Sequence, residues 1–362
     1  MIGNLCALAL VGGANFSAAS EDQAFLAILA ETKVGRIAGM EIPDLSELPP
    51  GFKLPPEAMM FAGKAARILN VRLWSQGIAP QDATATLVPP PGLKQGDQLN
   101  LDLYRPTGTS SGPARDFDPD STPDFTMKIY WGSSETVKEG QPKIVRWGDL
   151  TDEQKEAMKQ KARESRPGNS YFYRPNWTTG FWPTPKQPGQ IDAMASLVGK
   201  YSLTTTYTGN VEIEAPDNVN FLAPIEFSAP NLNKKIDLKK AINFEWKLIP
   251  NVLGQYATIM GMEGKSTLVL WTSSEVFANE LMGDMGFMQM ADVRDRVTKT
   301  MFMAPDRTKV SVPAAIFQNV DAAMMNMAGY GPGAALEKAQ PLPRIQTKTS
   351  INVILGGKKV DF

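Results

Sequence analysis

The sequence predicts a mainly β protein of two β-sandwich domains with short helical insertions, and three observations carry that prediction. Short runs alternate apolar and polar residues with a period of two, the signature of strands with one buried face. The 28 prolines and 30 glycines are spread along the chain, as turns between many short strands require. The length of 362 residues, with 43% hydrophobic residues, suffices for two separate cores.

Residues 1–20 read as a signal peptide or an apolar N-terminal arm. Leu5 to Val11 is an apolar run followed by Gly12, Gly13 and the small residues Ser17 to Ser20, the order of a secretory core and its cleavage region. No Lys or Arg precedes the run, which favours the arm. The run is too short to span a bilayer. Export to the periplasm or the extracellular space is the expectation.

Residues 21–60 read as a helix over 21–34, where apolar residues follow acidic starters, and then a Pro-rich linker from Ile42. A first sandwich-like domain is expected over 61–229, with strands at 68–74, 83–88, 99–104, 125–131, 200–207, 209–214 and 220–228. Within it, Thr151 with Gln154 three residues on is a capping-box start for a charged helix over 151–165. An aromatic, Pro-rich loop over 170–190 follows. A second domain is expected over 230–362, with strands around Phe244–Trp246, Gln255–Ile259, Ser266–Trp271, Thr308–Phe317, Ala322–Ala328 and Thr347–Leu355. Helical periodicity between 275 and 300 marks an insertion.

In that second region the order Phe244-Glu245-Trp246, Ile249-Pro250, a strand with Tyr256, a strand ending at Trp271, Val312-Pro313-Ala314-Ala315-Ile316-Phe317 and a last alternating strand resembles a fibronectin type III-like or immunoglobulin-like domain. The resemblance implies that Trp246 and Tyr256 lie in the core between two facing sheets. The chain is also similar to uncharacterised exported proteobacterial proteins, a likeness that implies no activity. Trp131-Gly132-Ser133-Ser134-Glu135 and Trp271-Thr272-Ser273-Ser274-Glu275 echo one another, which suggests equivalent strands in two related domains.

Composition narrows the function. Lys and Arg total 37 against 38 Asp and Glu, so no net field draws the chain to nucleic acid or an anionic membrane. There is no histidine and one cysteine, Cys6, which removes His-activated nucleophiles, His-ligated metals and thiolate cages. No nucleophile elbow, Ser-x-x-Lys, P-loop or dinucleotide motif occurs. A non-catalytic binding or structural protein with a protein partner is the expected class, with no cofactor.

Three constellations remain. Asp116, Asp118, Asp120 and Asp124 could offer oxygens to Ca²⁺. However, Ser121 stands where a calcium loop needs Gly and no Glu closes it, so the stretch reads foremost as a solvated acidic turn. Eleven of the 18 methionines fall between Met260 and Met327; soft thioethers suit copper, and helix or strand packing is the plainer reading. Tyr171, Tyr173, Arg174, Trp177, Phe181 and Trp182 could stack on a glycan or grip a partner, or bury at a domain interface. A carbohydrate-binding or carbohydrate-active protein is the alternative function these residues support.

Overall fold

The structure, a computed structural model, describes residues 24–41, 64–106, 125–157, 176–187, 189–278, 288–335 and 344–356. It is mainly β. The strands are β1 (Ala24–Ile37), β2 (Ala66–Ser75), β3 (Ala85–Val88), β4 (Leu99–Asn100), β5 (Asp102–Tyr104), β6 (Thr126–Trp131), β7 (Lys143–Arg146), β8 (Thr178–Trp182) and β9 (Gln190–Ile191). They continue as β10 (Gly199–Thr205), β11 (Val211–Ala215), β12 (Phe227–Ala229), β13 (Ile242–Trp246), β14 (Gly254–Glu263), β15 (Thr267–Thr272), β16 (Lys309–Val312), β17 (Val320–Ala335) and β18 (Arg344–Gly356). A helix over 152–157 is α1, and Met290–Thr298 is α2.

An eleven-stranded sheet runs β5-β8-β2-β1-β18-β17-β14-β15-β6-β7, with β9 alongside β2. Two small sheets, β11-β10-β3-β4 and β12-β13-β16, cover the same face of it. One core lies where Leu26, Ile28, Leu69, Leu73 and Trp182 meet Leu87, Tyr201 and Ile213 of the four-stranded sheet. The other lies where Ile259, Trp271, Met325, Met327 and Val353 meet Phe244, Trp246 and Val310 of the three-stranded sheet. We call this covered side the inner face. In the second core, the first, second and fifth of seven successive strands (β12 to β18) face the other four in a β-sandwich.

The two sandwiches share a sheet, because β1 pairs with β18 in parallel over eleven positions, Ala27 with Arg344 to Ile37 with Ile354. The pair β6 and β7 joins the far end, with β6 parallel to β15. Strands from both sides of the expected boundary at 229/230 are therefore hydrogen-bonded into one sheet.

Several sequence readings need correction. Residues 24–37 form a strand, not a helix. Their apolar run packs on both faces at the centre of the sheet, where a strand has no polar side to show. Residues 178–182 form β8 instead of belonging to a loop, and 220–226 are not strand. The capping box stands: Thr151 Oγ1 accepts from Gln154 N at 3.2 Å and Gln154 Oε1 accepts from Thr151 N at 3.0 Å. Of the helical insertion expected over 275–300, Met290–Thr298 is helix, as α2, 275–278 is not, and 279–287 lies outside the described residues. Trp246 lies in the core between sheets, whereas Tyr256 is buried on the opposite, outer face beneath α2.

The Trp-x-Ser-Ser-Glu echo does not mark equivalent strands. Its two copies end β6 and β15, neighbours in one sheet, and Thr272 pairs with Trp131. The one-residue offset sends Trp271 inward and Trp131 outward onto Phe277. What the copies share is backbone capping. Ser133 Oγ accepts from Ser311 N at 3.0 Å and Ser273 Oγ accepts from Ala257 N at 2.9 Å.

Candidate functional site

The outer face divides into zones. Near β1 and β2, Phe25 and Trp74 pack with Trp177, whose ring stacks on Phe25 at 5.4 Å. At the centre, Tyr256, Phe302 and Tyr330 stack at 5.1 and 5.5 Å under α2. Burial raises the Tyr256 phenol well above its ordinary pKa. Gly254 makes this possible, since a Cβ there would meet Val297 Cγ2 at 2.6 Å and Val293 Cγ1 at 3.0 Å. Beside the stack, Ser350 Oγ donates to Glu31, which also pairs with Lys348 Nζ at 3.7 Å.

Beyond this zone the face opens. The registers align Ile37 with Ile354, Ile354 with Met324, Met324 with Met260, and Met260 with Leu270. Met262 and Leu268 form a second cross-strand pair on the same face. Met260, Met262 and Met324 are 43%, 47% and 48% exposed. The next row, Asn352, Asn326, Thr258 and Thr272, is polar and uncharged. The result is an apolar band on the middle strands with an amide and hydroxyl border. Leu270 is buried with Met127 and Ile129, so the open part of the band is the three methionines with the half-buried Ile37, Ile354 and Leu268 beside them; exposed apolar surface of this kind marks contact surfaces. Methionine, unbranched and polarizable, adapts to a partner's shape.

Two smaller features lie elsewhere on the surface. A cleft of about 170 Å³ lies between Asp217–Ala223 and Pro250–Asn251. Its inner polar groups are braces: Asn220 Oδ1 accepts from Leu197 N at 3.2 Å and Nδ2 donates to Ser196 Oγ at 3.2 Å. Arg67 lies 4.8 Å over Phe221 while donating to Ala195 O at 2.7 Å. At the ends of β6 and β15, Glu275 accepts from Lys138 Nζ at 2.8 Å and pairs with Arg307 at 3.8 Å. That cluster ties three loops together.

The residues singled out from sequence fare unevenly. Asp116, Asp118, Asp120 and Asp124 lie outside the described residues, as do Tyr171, Tyr173, Arg174 and segment 1–20. Trp182 is 1% exposed in the first core. Phe181 is partly buried in β8 and Trp177 is partly buried against Phe25. These three do not form an open platform. Of the methionines, Met325 and Met327 point inward at 0% exposure, as alternation predicts. Met260, Met262 and Met324 were not distinguished from core, yet their phase shows them. Met260 and Met262 follow Thr258 at steps of two, opposite in phase to Ala257 and Ile259, and Met324 is in phase with Asn326.

No family model matches this chain, and no curated protein matches it. Among the described residues, no helix is long and apolar enough to cross a membrane.

Proposed function

We propose that this is a non-catalytic structural or binding protein that works outside the cytoplasm as a subunit of an envelope or cell-surface assembly. Its contact surface is the band around Met260, Met262 and Met324, and the partner is a second copy of the chain. The exposed cross-strand pair Met260 and Met324, with apolar neighbours Ile354 and Leu270 on either side in its row, is the observation that carries this reading.

Charge selects the occupant. None of the band and border residues on β18, β17, β14 and β15 named above is ionisable, and Lys143, the cation in the Met260 row, stands two strands beyond Leu270, so no oppositely charged partner is called for. Two copies meeting face to face incur no like-charge penalty there, and the chain's net charge of −1 adds little repulsion. A two-fold contact must complement itself. Asn326, Asn352 and Thr258 suit that requirement, because amides and hydroxyls both donate and accept hydrogen bonds. The export part of the reading draws on the apolar run Leu5–Val11 and the small residues after it.

Sedimentation velocity across the micromolar range tests the contact. The wild-type chain should show concentration-dependent association, and the double variant Met260→Lys, Met324→Lys should remain monomeric and melt at the temperature of dilute, monomeric wild type, since association is what it loses. A wild-type chain that is monomeric throughout would overturn the reading. Fractionation of cells producing the full chain tests location; recovery only from the cytoplasm would contradict export.

A further inference from the structure

The sulfurs that make the band adaptable also make it chemically vulnerable, and the fold sorts them sharply. Met260, Met262 and Met324 are nearly half exposed, whereas Met325 and Met327, on the opposite face of β17, are 0% exposed and Met303 is 5% exposed. Peroxide attacks a thioether only where it can reach the sulfur, so a single turn of strand alternation separates reactive from protected methionines.

We propose that Met260, Met262 and Met324 form a reversible oxidation site for hydrogen peroxide that dissolves the contact between copies. The inference rests on the self-association reading. In the reaction, the sulfur lone pair attacks one peroxide oxygen, an S–O bond forms and the O–O bond breaks. The second oxygen departs as water, so sulfur loses two electrons and peroxide gains them. The product is a sulfoxide, a polar and chiral group in place of an adaptable apolar one. Inside a face-to-face contact it must lose its hydration, and the apolar row offers it no donor. Because Met260 and Met324 are direct cross-strand partners, two such groups would stand side by side at the middle of the band. Methionine sulfoxide reductase, supplied with a dithiol that gives up two electrons and becomes a disulfide, releases the oxygen as water and returns the thioether and with it the face.

Among the described residues, Met40 and Met194 are also exposed, at 42% and 79%, but lie off the band. The experiment therefore uses the full chain carrying Met40→Leu and Met194→Leu. Protein treated with limiting hydrogen peroxide is mapped by peptide mass spectrometry and run in sedimentation velocity before and after reductase treatment. The expected result is sulfoxide at Met260, Met262 and Met324 ahead of Met303, Met325 and Met327. The dissociation constant should rise at least about tenfold in step with occupancy at Met260 and Met324, and reductase should restore it. Association that persists with all three sulfurs oxidised, or earlier oxidation of Met325 and Met327, overturns this inference alone. Untreated protein that never associates overturns the self-association reading and this inference together.

Discussion

Replacing Gln255 by leucine removes a fully buried amide that fastens the segment after α2 to β14. The side chain is 0% exposed. Its Oε1 accepts from Trp246 Nε1 at 2.9 Å, and its Nε2 donates toward the carbonyls of Ala304, Pro305 and Arg307 at 3.1, 3.2 and 2.8 Å. Leucine leaves the buried indole N–H without an acceptor and takes the side-chain donor from the three carbonyls, of which Ala304 O still accepts from Arg307 N. An orphaned buried polar group costs about 1–3 kcal/mol, so one donor and at least one carbonyl give roughly 2–5 kcal/mol. Urea unfolding followed by far-ultraviolet circular dichroism measures it. Trp246→Phe removes the donor alone and should cost less, and the double variant should cost about 1 kcal/mol less than the sum of the two. A Gln255→Leu protein within about 0.5 kcal/mol of wild type, or strictly additive variants, would refute the reasoning. Gln255→Glu adds a pH test. A carboxylate facing three carbonyls has a raised folded-state pKa, so the variant is least impaired below the unfolded value of about 4.3. It loses stability as pH rises through that value toward the folded one.

Three further outcomes are expected. Gly254→Val drives a side chain into Val293 and Val297 and should lift α2, seen as faster hydrogen exchange over 290–298; unchanged exchange there would contradict the packing. Lys128 Nζ at 2.6 Å and Asn319 hold the Glu263 carboxyl below its usual range, so this pair stabilises above the unfolded pKa and the benefit is lost as pH falls through the folded one. Lys128→Met should therefore cost up to about 1 kcal/mol at neutral pH, limited by water screening, and nothing once Glu263 is protonated; an equal cost at both pH values counts against it. A fragment of residues 230–362 lacks β1 against β18 and β6 against β15, and should fail to unfold cooperatively in urea, whereas a sharp transition would show that the shared sheet is dispensable.

Much of the fold was legible where one face of a strand is wet. Alternation marked β2, β6, β10, β13, β15 and β18, because polar residues on one side betray the period. It failed at β1, whose residues 24–30 are buried on both faces and so read equally as helix. It failed at β8 because Trp177, Trp182 and Pro183 resemble loop chemistry until β2 and β5 are seen on either side. The parallel pairings β1 with β18 and β6 with β15 could not be read at all, since they join segments more than 130 residues apart and no local turn announces them. The candidate surface was half legible: the methionine density was plain, but separating Met260 and Met324 from Met325 and Met327 required knowing which phase of each strand faces the small sheets.

Carbon-13 methyl labelling of methionine gives the most direct view of the face itself. In spectra recorded from dilute to concentrated protein, the methyl signals of Met260, Met262 and Met324 should shift or broaden together, while those of Met325 and Met327 stay fixed. Signals from the three exposed residues that keep the same position and width at every concentration would contradict an assembly built through this band.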